Sequence, residues 1–223
     1  MSQLSSTLVQ LASGLRFTLG IFFLTLLFSI PLGLIVARGR MSKNIFVAGL
    51  VRIYISVMRG TPLMLQLLLV YFGPYYIFGV KLGDLDVGPF KYRFVATVIG
   101  FSLNYAAYFA EIFRAGIQSM PVGQYEAAQI LGFSKAQTFF RIILPQVVKR
   151  VLPAVTNEVI TLVKDTSLAQ VLAVTEMFTT AKNLASAQVS VMPFIVAGVF
   201  YYVMNGIIEI IMNRAEKKMG YYQ

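Results

Sequence analysis

The sequence predicts an all-α membrane protein of five spanning helices, with a long structured loop between helices 3 and 4. Three observations carry that expectation. The 223 residues are 57% hydrophobic and only 13% charged, with mean hydropathy +0.73, whereas soluble domains carry about a quarter charged residues. The stretches 17–37, 60–80 and 183–208 contain no charge, and each exceeds the ~20 residues that cross a ~30 Å hydrocarbon core as helix. The alternating pattern of a membrane barrel is absent, and a spanning helix satisfies its own backbone hydrogen bonds.

The elements follow in order. Span 1 covers about 17–37 and holds Pro31 and Gly33 in "SIPLGL", where a kink is expected. Residues 41–59 place Arg52, Ser56 and Arg59 on one helical stripe, and either lie at the inner interface or begin the second helix. Span 2 covers about 60–80, followed by the outer loop "KLGDLDVGPFKYR". Span 3 covers about 93–113, the loop about 114–149, span 4 about 150–172 and span 5 about 189–212, before the tail "NRAEKKMGYYQ". No internal repeat or low-complexity linker divides the chain, so residues 1–223 are expected to form a single domain. No A-x-A-like site follows the first apolar run, which reads as a retained span.

Charge sets the expected orientation. The net charge is +10, and its distribution is topological. With the N-terminus outside, the inner segments hold 13 of the 19 basic residues (Arg38, Arg40, Lys43, Arg52, Arg59; Arg114, Lys135, Arg141, Lys149, Arg150; Arg214, Lys217, Lys218). The positive-inside bias therefore places the N-terminus outside, the C-terminus in the cytoplasm, and the 114–149 loop on the cytoplasmic side. A nucleic-acid partner is not implied. The absence of Cys and His removes disulfides, thiolate chemistry, imidazole bases and most transition-metal sites.

The cytoplasmic loop is patterned. "SMPVG" ends the helix of span 3, and a short helix is expected from about Gly123 to Leu131 with Gly132 as its C-terminal cap. Ser134 with Gln137 three residues later reads as a capping box. It opens a second helix carrying Phe139, Phe140, Ile142, Ile143 and Leu144 before Pro145 interrupts it. Small residues at Ala127 and Ala128 are expected to admit a close partner. An ordinary re-entry loop with incidental helix is the alternative on pattern alone.

These residues resemble a known family. "EAAQILGFSKAQTFFRIILP" is similar to the EAA signature of ABC importer permeases, with Glu126, Ala127, Ala128, Gly132, Ile142, Leu144 and Pro145 at the signature spacing. "RGTPLMLQLLLVYFG" (59–73), "AEIFRAGIQSMPVGQYEAA" (110–128) and "VKDTSLAQVL" (163–172) resemble the polar amino-acid uptake branch of that family. The resemblance implies a permease subunit in a bacterial inner membrane. It would pair with a second permease, a copy or a paralogue, and with two ATP-binding cassette subunits, and receive substrate from an extracytoplasmic amino-acid-binding protein. It also implies that Glu126, Ala127, Ala128, Gly132 and Phe133 belong to a coupling helix docking on the ATPase. No cofactor is expected in this chain; ATP and magnesium belong to the partner. The residues agree at one point: the chain lacks any G-x-x-x-x-G-K-[ST] phosphate loop, so it is not expected to be an enzyme.

Ionisable groups inside a membrane are costly and usually face a cavity or a partner. Glu158, Thr161 and Asp165 share a face of span 4, and Asn104, Tyr108 and Glu111 share a face of span 3. At ~1.5 Å per residue, Glu158 stands ~12 Å from Arg150, Asn104 ~16 Å from Arg93 and Gln66 ~10 Å from Arg59. These are mid-depth positions, where transporters commonly hold substrate. Glu158, Asn104, Gln66, Thr161 and Asp165 are therefore candidates to border an amino-acid site, with Glu158 facing a cation such as a guanidinium. Structural readings stay open beside these. Glu111 and Arg114 are spaced to pair with each other. Asn104 is suited to bonding a neighbouring helix, and Lys164 and Asp165 to a structural role. A polar, basic amino acid such as arginine is the expected substrate. Glutamine, another polar amino acid or an ATP-independent carrier are the alternatives.

Overall fold

The computed structural model describes residues 3–79, 86–87 and 90–219. Much of the expected outer loop after residue 80 and the tail beyond Met219 lie outside the described residues.

Helix α1 (Gln3–Arg40) is one helix of 38 residues running unbroken through Pro31. It exceeds the expected span because its first turns also have something to bury: Leu11 packs with Met177, Ala181 and Leu184. Its principal partner is α4 (Tyr92–Gln118). The two approach closely because α1 presents Thr18, Thr25 and Ser29 on one buried stripe and Gly33 beyond them. A Cβ on Gly33 would stand 2.8 Å from Phe109 Cβ and 3.3 Å from Ala106 O. We expect Gly33→Ala to destabilise the fold by about 1–3 kcal/mol, read as a lowered thermal midpoint in detergent. An unchanged midpoint would mean that α1 and α4 can part at no cost.

The 41–59 segment and the expected second span fold as two helices separated by a sharp bend. Asn44 caps α2 (Ile45–Gly60), its Oδ1 accepting from the amides of Phe46 (2.9 Å) and Val47 (3.4 Å). Helix α3 (Leu63–Phe78) follows at 113° to it. The cause is local: Pro62 disfavours helix at the residue before it, and Thr61 is extended at φ −118° and ψ 151°. Each half has 16 residues, about 24 Å of helix, too short to cross alone.

A two-residue antiparallel bridge pairs β1 (Asp86–Val87) with β2 (Phe90–Lys91) and leads into α4. This helix is the hub of the protein, burying Phe101, Tyr105 and Phe109 completely. At its far end Gly116 lets Val151 approach.

The loop then folds as short helix, turn and long helix. Helix α5 (Val122–Ile130) ends at Gly132, which has φ +77°. The amide of Phe133 donates to Ala128 O and that of Gly132 to Gln129 O, both at 3.0 Å, the paired bonds of a Schellman turn. Ser134 forms the expected capping box with Gln137 and opens α6 (Lys135–Gln137). The expected interruption at Pro145 does not occur. Residues Thr138–Ile143 form a π turn that leads directly into α7 (Leu144–Asp165). Proline has no N–H and crowds the carbonyl four residues back. The wider turn, in which the Leu144 amide reaches back to Phe139 O, accommodates it.

Helix α7 packs against α4 and α9 (Met192–Met219) and passes into a 3₁₀ segment, Thr166–Leu172. Residues 173–188, given no element from sequence, contain α8 (Met177–Gln188). Glu176 starts it from full burial, accepting from the amides of Phe178 and Thr179 (2.6 Å each) and from Tyr201 Oη (3.2 Å).

The expected span count is matched in part. Among the described residues three helices, α1, α4 and α9, are long and apolar enough to cross a membrane, or four with the bent α2–α3 pair counted as one. The expected span at 150–172 is α-helical only to Asp165. Its helix also carries Lys149, Arg150, Glu158, Lys164 and Asp165, which makes it less apolar than those helices.

Candidate functional site

A cavity of about 580 Å³ opens where the end of α2 meets α4 and α7, a size that suits a small molecule. Its polar wall is built from Arg59 of α2, Tyr108, Glu111 and Arg114 of α4, and Arg150 and Glu158 of α7. Tyr108 and Glu111 are three residues apart and so share the α4 face. Glu158 lies two turns beyond Arg150 on α7. Charged side chains on three elements thus converge without any of them being adjacent in sequence.

Several of these charges are satisfied internally. Arg114 holds Glu111 at 2.6 Å and also donates to Gln118, while Arg40 stands 3.8 Å from Glu111. The spacing-based pairing of Glu111 with Arg114 is therefore present. Arg150 Nη1 donates to Ser119 O at 2.7 Å and lies 3.2 Å from Ser119 Oγ. Arg59 lies over the Tyr108 ring, Cζ to centroid 5.1 Å. Glu158 is half-buried and enters no hydrogen bond or ion pair among the described residues.

The five expected site residues separate. Only Glu158 lines the cavity. Gln66 and Asn104 are buried and face each other, Asn104 Nδ2 donating to Gln66 Oε1 at 2.9 Å. Both also donate to Met58 O, at 3.0 and 2.9 Å, and Gln66 reaches Thr61 Oγ1 at 2.8 Å. These two amides thus satisfy the carbonyls that the α2–α3 break releases. Thr161 is exposed. Asp165 accepts from Tyr105 Oη at 2.7 Å. Arg59 was not among the candidates, although the "RGTP" string placing a cation beside a break was a signal for it.

In the loop, Glu126 and Ala127 are exposed, Gly132 forms the exposed turn and Phe133 is half-buried. Ala128 is buried against its own chain at 1% exposure. Val122, Ile130, Leu131 and Phe140 are exposed apolar residues around it, and reciprocal amide bonds between Gln124 and Gln146 (2.9 and 2.7 Å) fasten α5 to α7. Among the described residues no group of acidic side chains gathers that could hold a metal ion.

Comparison with known proteins adds the family. The family described as "Binding-protein-dependent transport system inner membrane component" matches residues 29–221. The L-cystine transport system permease protein TcyB of Bacillus subtilis (strain 168) is 34% identical over 214 residues, 95% of this chain and 87% of that protein. The arginine transport system permease protein ArtQ of the same organism is 34% identical over 219 residues, 96% of each chain. A solved structure described as an amino acid ABC transporter with histidines superposes with a TM-score of 0.84 at 32% identity, covering 96% of both chains. Loop signature and these full-length similarities agree, and the chain belongs to the binding-protein-dependent inner membrane components, the permease subunits of ABC importers, in their polar amino-acid branch.

Proposed function

We propose that this chain forms half of the translocation pathway of an ATP-driven importer for a polar, basic amino acid such as arginine. The observation that carries this reading is the cavity lined by Glu158, whose carboxylate has no partner of its own. A carboxylate held away from bulk water without an ion pair is costly, and a cationic substrate can form one. Glutamine or another polar amino acid is the second reading. It is favoured by the equal identity, 34%, to a cystine and an arginine permease.

In this reading Glu158 meets the cationic group. Thr161 and Asp165 flank the path farther along the same face, and Gln66 and Asn104 contribute through the helix break they hold. The N-terminus lies outside and the C-terminus in the cytoplasm, following the basic residues. The segment Glu126, Ala127, Gly132 and Phe133 docks on an ATP-binding cassette subunit, which carries ATP and magnesium. Ala128 supports it from beneath. A second permease completes the pathway within one five-span domain per chain, and an extracytoplasmic binding protein delivers substrate.

The test is equilibrium binding of an amino-acid panel to the purified permease–ATPase complex. We expect arginine and lysine to bind tighter than glutamine by about tenfold, the scale of one charge-assisted hydrogen bond. Glutamine tighter than arginine would transfer the assignment to the second reading.

A further inference from the structure

The charges of the cavity do not cancel one another in place. Three guanidinium groups and two carboxylates line it: Arg59, Arg114, Arg150, Glu111 and Glu158. Arg114 is spent on Glu111 and Gln118, and Arg150 on Ser119. Glu111 is held by Arg114 and neighboured by Arg40. What remains among the described residues is one cation, Arg59, lying over Tyr108, and one anion, Glu158, which feel each other's charge but form no hydrogen bond or ion pair. One free charge of each sign in a single small cavity is the complement of a dipolar ion.

Arg59 is also built to be presented. It is two residues before Thr61, where the chain turns by 113°. The carbonyl of the preceding residue, Met58, is gripped by both Gln66 and Asn104, which fixes the backbone that carries the guanidinium. Tyr108 covers one face of the fork, leaving its in-plane N–H donors for a planar acceptor. A carboxylate fits that edge with two parallel hydrogen bonds.

We propose that Arg59 is the residue that recognises the α-carboxylate of the transported amino acid, opposite Glu158, with Gln66 and Asn104 as the positioning pair that aims it. This rests on the amino-acid reading of the cavity. It adds that the site selects for the carboxylate itself and not only for a cationic end. A decarboxylated amine of the same length would satisfy Glu158 and leave Arg59 empty.

The experiment compares each amino acid with its amine in direct binding to the purified permease–ATPase complex, without the extracytoplasmic binding protein. The pairs are L-arginine with agmatine, L-glutamine with 4-aminobutanamide, and L-cystine with cystamine. For the pair that binds, the wild type is expected to prefer the amino acid by roughly 10- to 100-fold, the scale of a charged, bidentate hydrogen bond. Arg59→Met should bring that ratio near unity by weakening the amino acid alone, and Arg59→Lys, which keeps the charge without the fork, should fall between. A loss of fold would weaken both members of a pair equally, and Arg59→Lys then decides. A ratio unchanged in the variants, or a wild type indifferent to the carboxylate, overturns the role of Arg59 while leaving the amino-acid site standing. Binding of none of the six probes to the wild type overturns both.

Discussion

Glu158→Gln should leave the protein inserted and folded while lowering ATP-driven uptake of arginine and lysine into vesicles by roughly 10- to 100-fold. The substitution keeps the shape of the side chain and removes only its charge. Glu158 makes no internal ion pair, so no buried cation is orphaned and little stability should be lost. A hydrogen bond to a charged group contributes about 1.5–3 kcal/mol, and each 1.4 kcal/mol is about tenfold in affinity. Neutral amino acids should be affected far less, because a glutamine amide still meets a neutral donor. Undiminished uptake of basic amino acids by this variant would remove Glu158 from the pathway.

The second large effect is expected at the loop. Gly132→Pro places a residue fixed near φ −65° where the chain has φ +77°, and it deletes the amide that bonds Gln129 O. The Schellman turn cannot survive, so α5 loses its set angle to the helix that follows. The membrane helices are untouched, and insertion should be normal. Co-purification with the ATPase and substrate-stimulated hydrolysis should both fall by about tenfold or more, the scale of losing an interface anchor. Glu126→Lys is the companion, since Glu126 is exposed and reversal of its charge disturbs contact without disturbing fold. Normal co-purification together with normal stimulated hydrolysis in both variants would show that this loop is not the docking element.

What was legible in the sequence was local. Gly132 and the Ser134–Gln137 box were readable because caps depend on a few consecutive residues. The apolar runs located α1, α4 and α9 because hydropathy sums along the chain. The bend at Thr61–Pro62 escaped because a composition window has no direction, although the proline that causes it was in plain view. Pro145 was misread for the opposite reason: the rule that proline stops a helix assumes an α register, and a π turn evades it. Helix α8 was missed because Thr179, Thr180, Lys182 and Asn183 dilute its apolar face. The pairing of Gln66 with Asn104, 38 positions apart, is a tertiary event that no pattern along one helix announces. The same holds for the sorting of the cavity charges into paired and free, which decides that Arg59 rather than Arg114 or Arg150 is available.

The π turn at Thr138–Ile143 has a consequence for angle as well as continuity. From Lys135 to Asp165 the chain is one uninterrupted helical rod, and Gln124 bolts α5 to it through Gln146. A π turn holds one more residue than the α turn it replaces, and one residue is about 100° of rotation. Everything beyond Ile143, Glu158 included, is therefore clocked about 100° relative to the loop from where a plain α-helix would put it. The azimuth of the cavity carboxylate is set 15 residues upstream of it, where the π turn ends at Ile143 to let the helix step around Pro145.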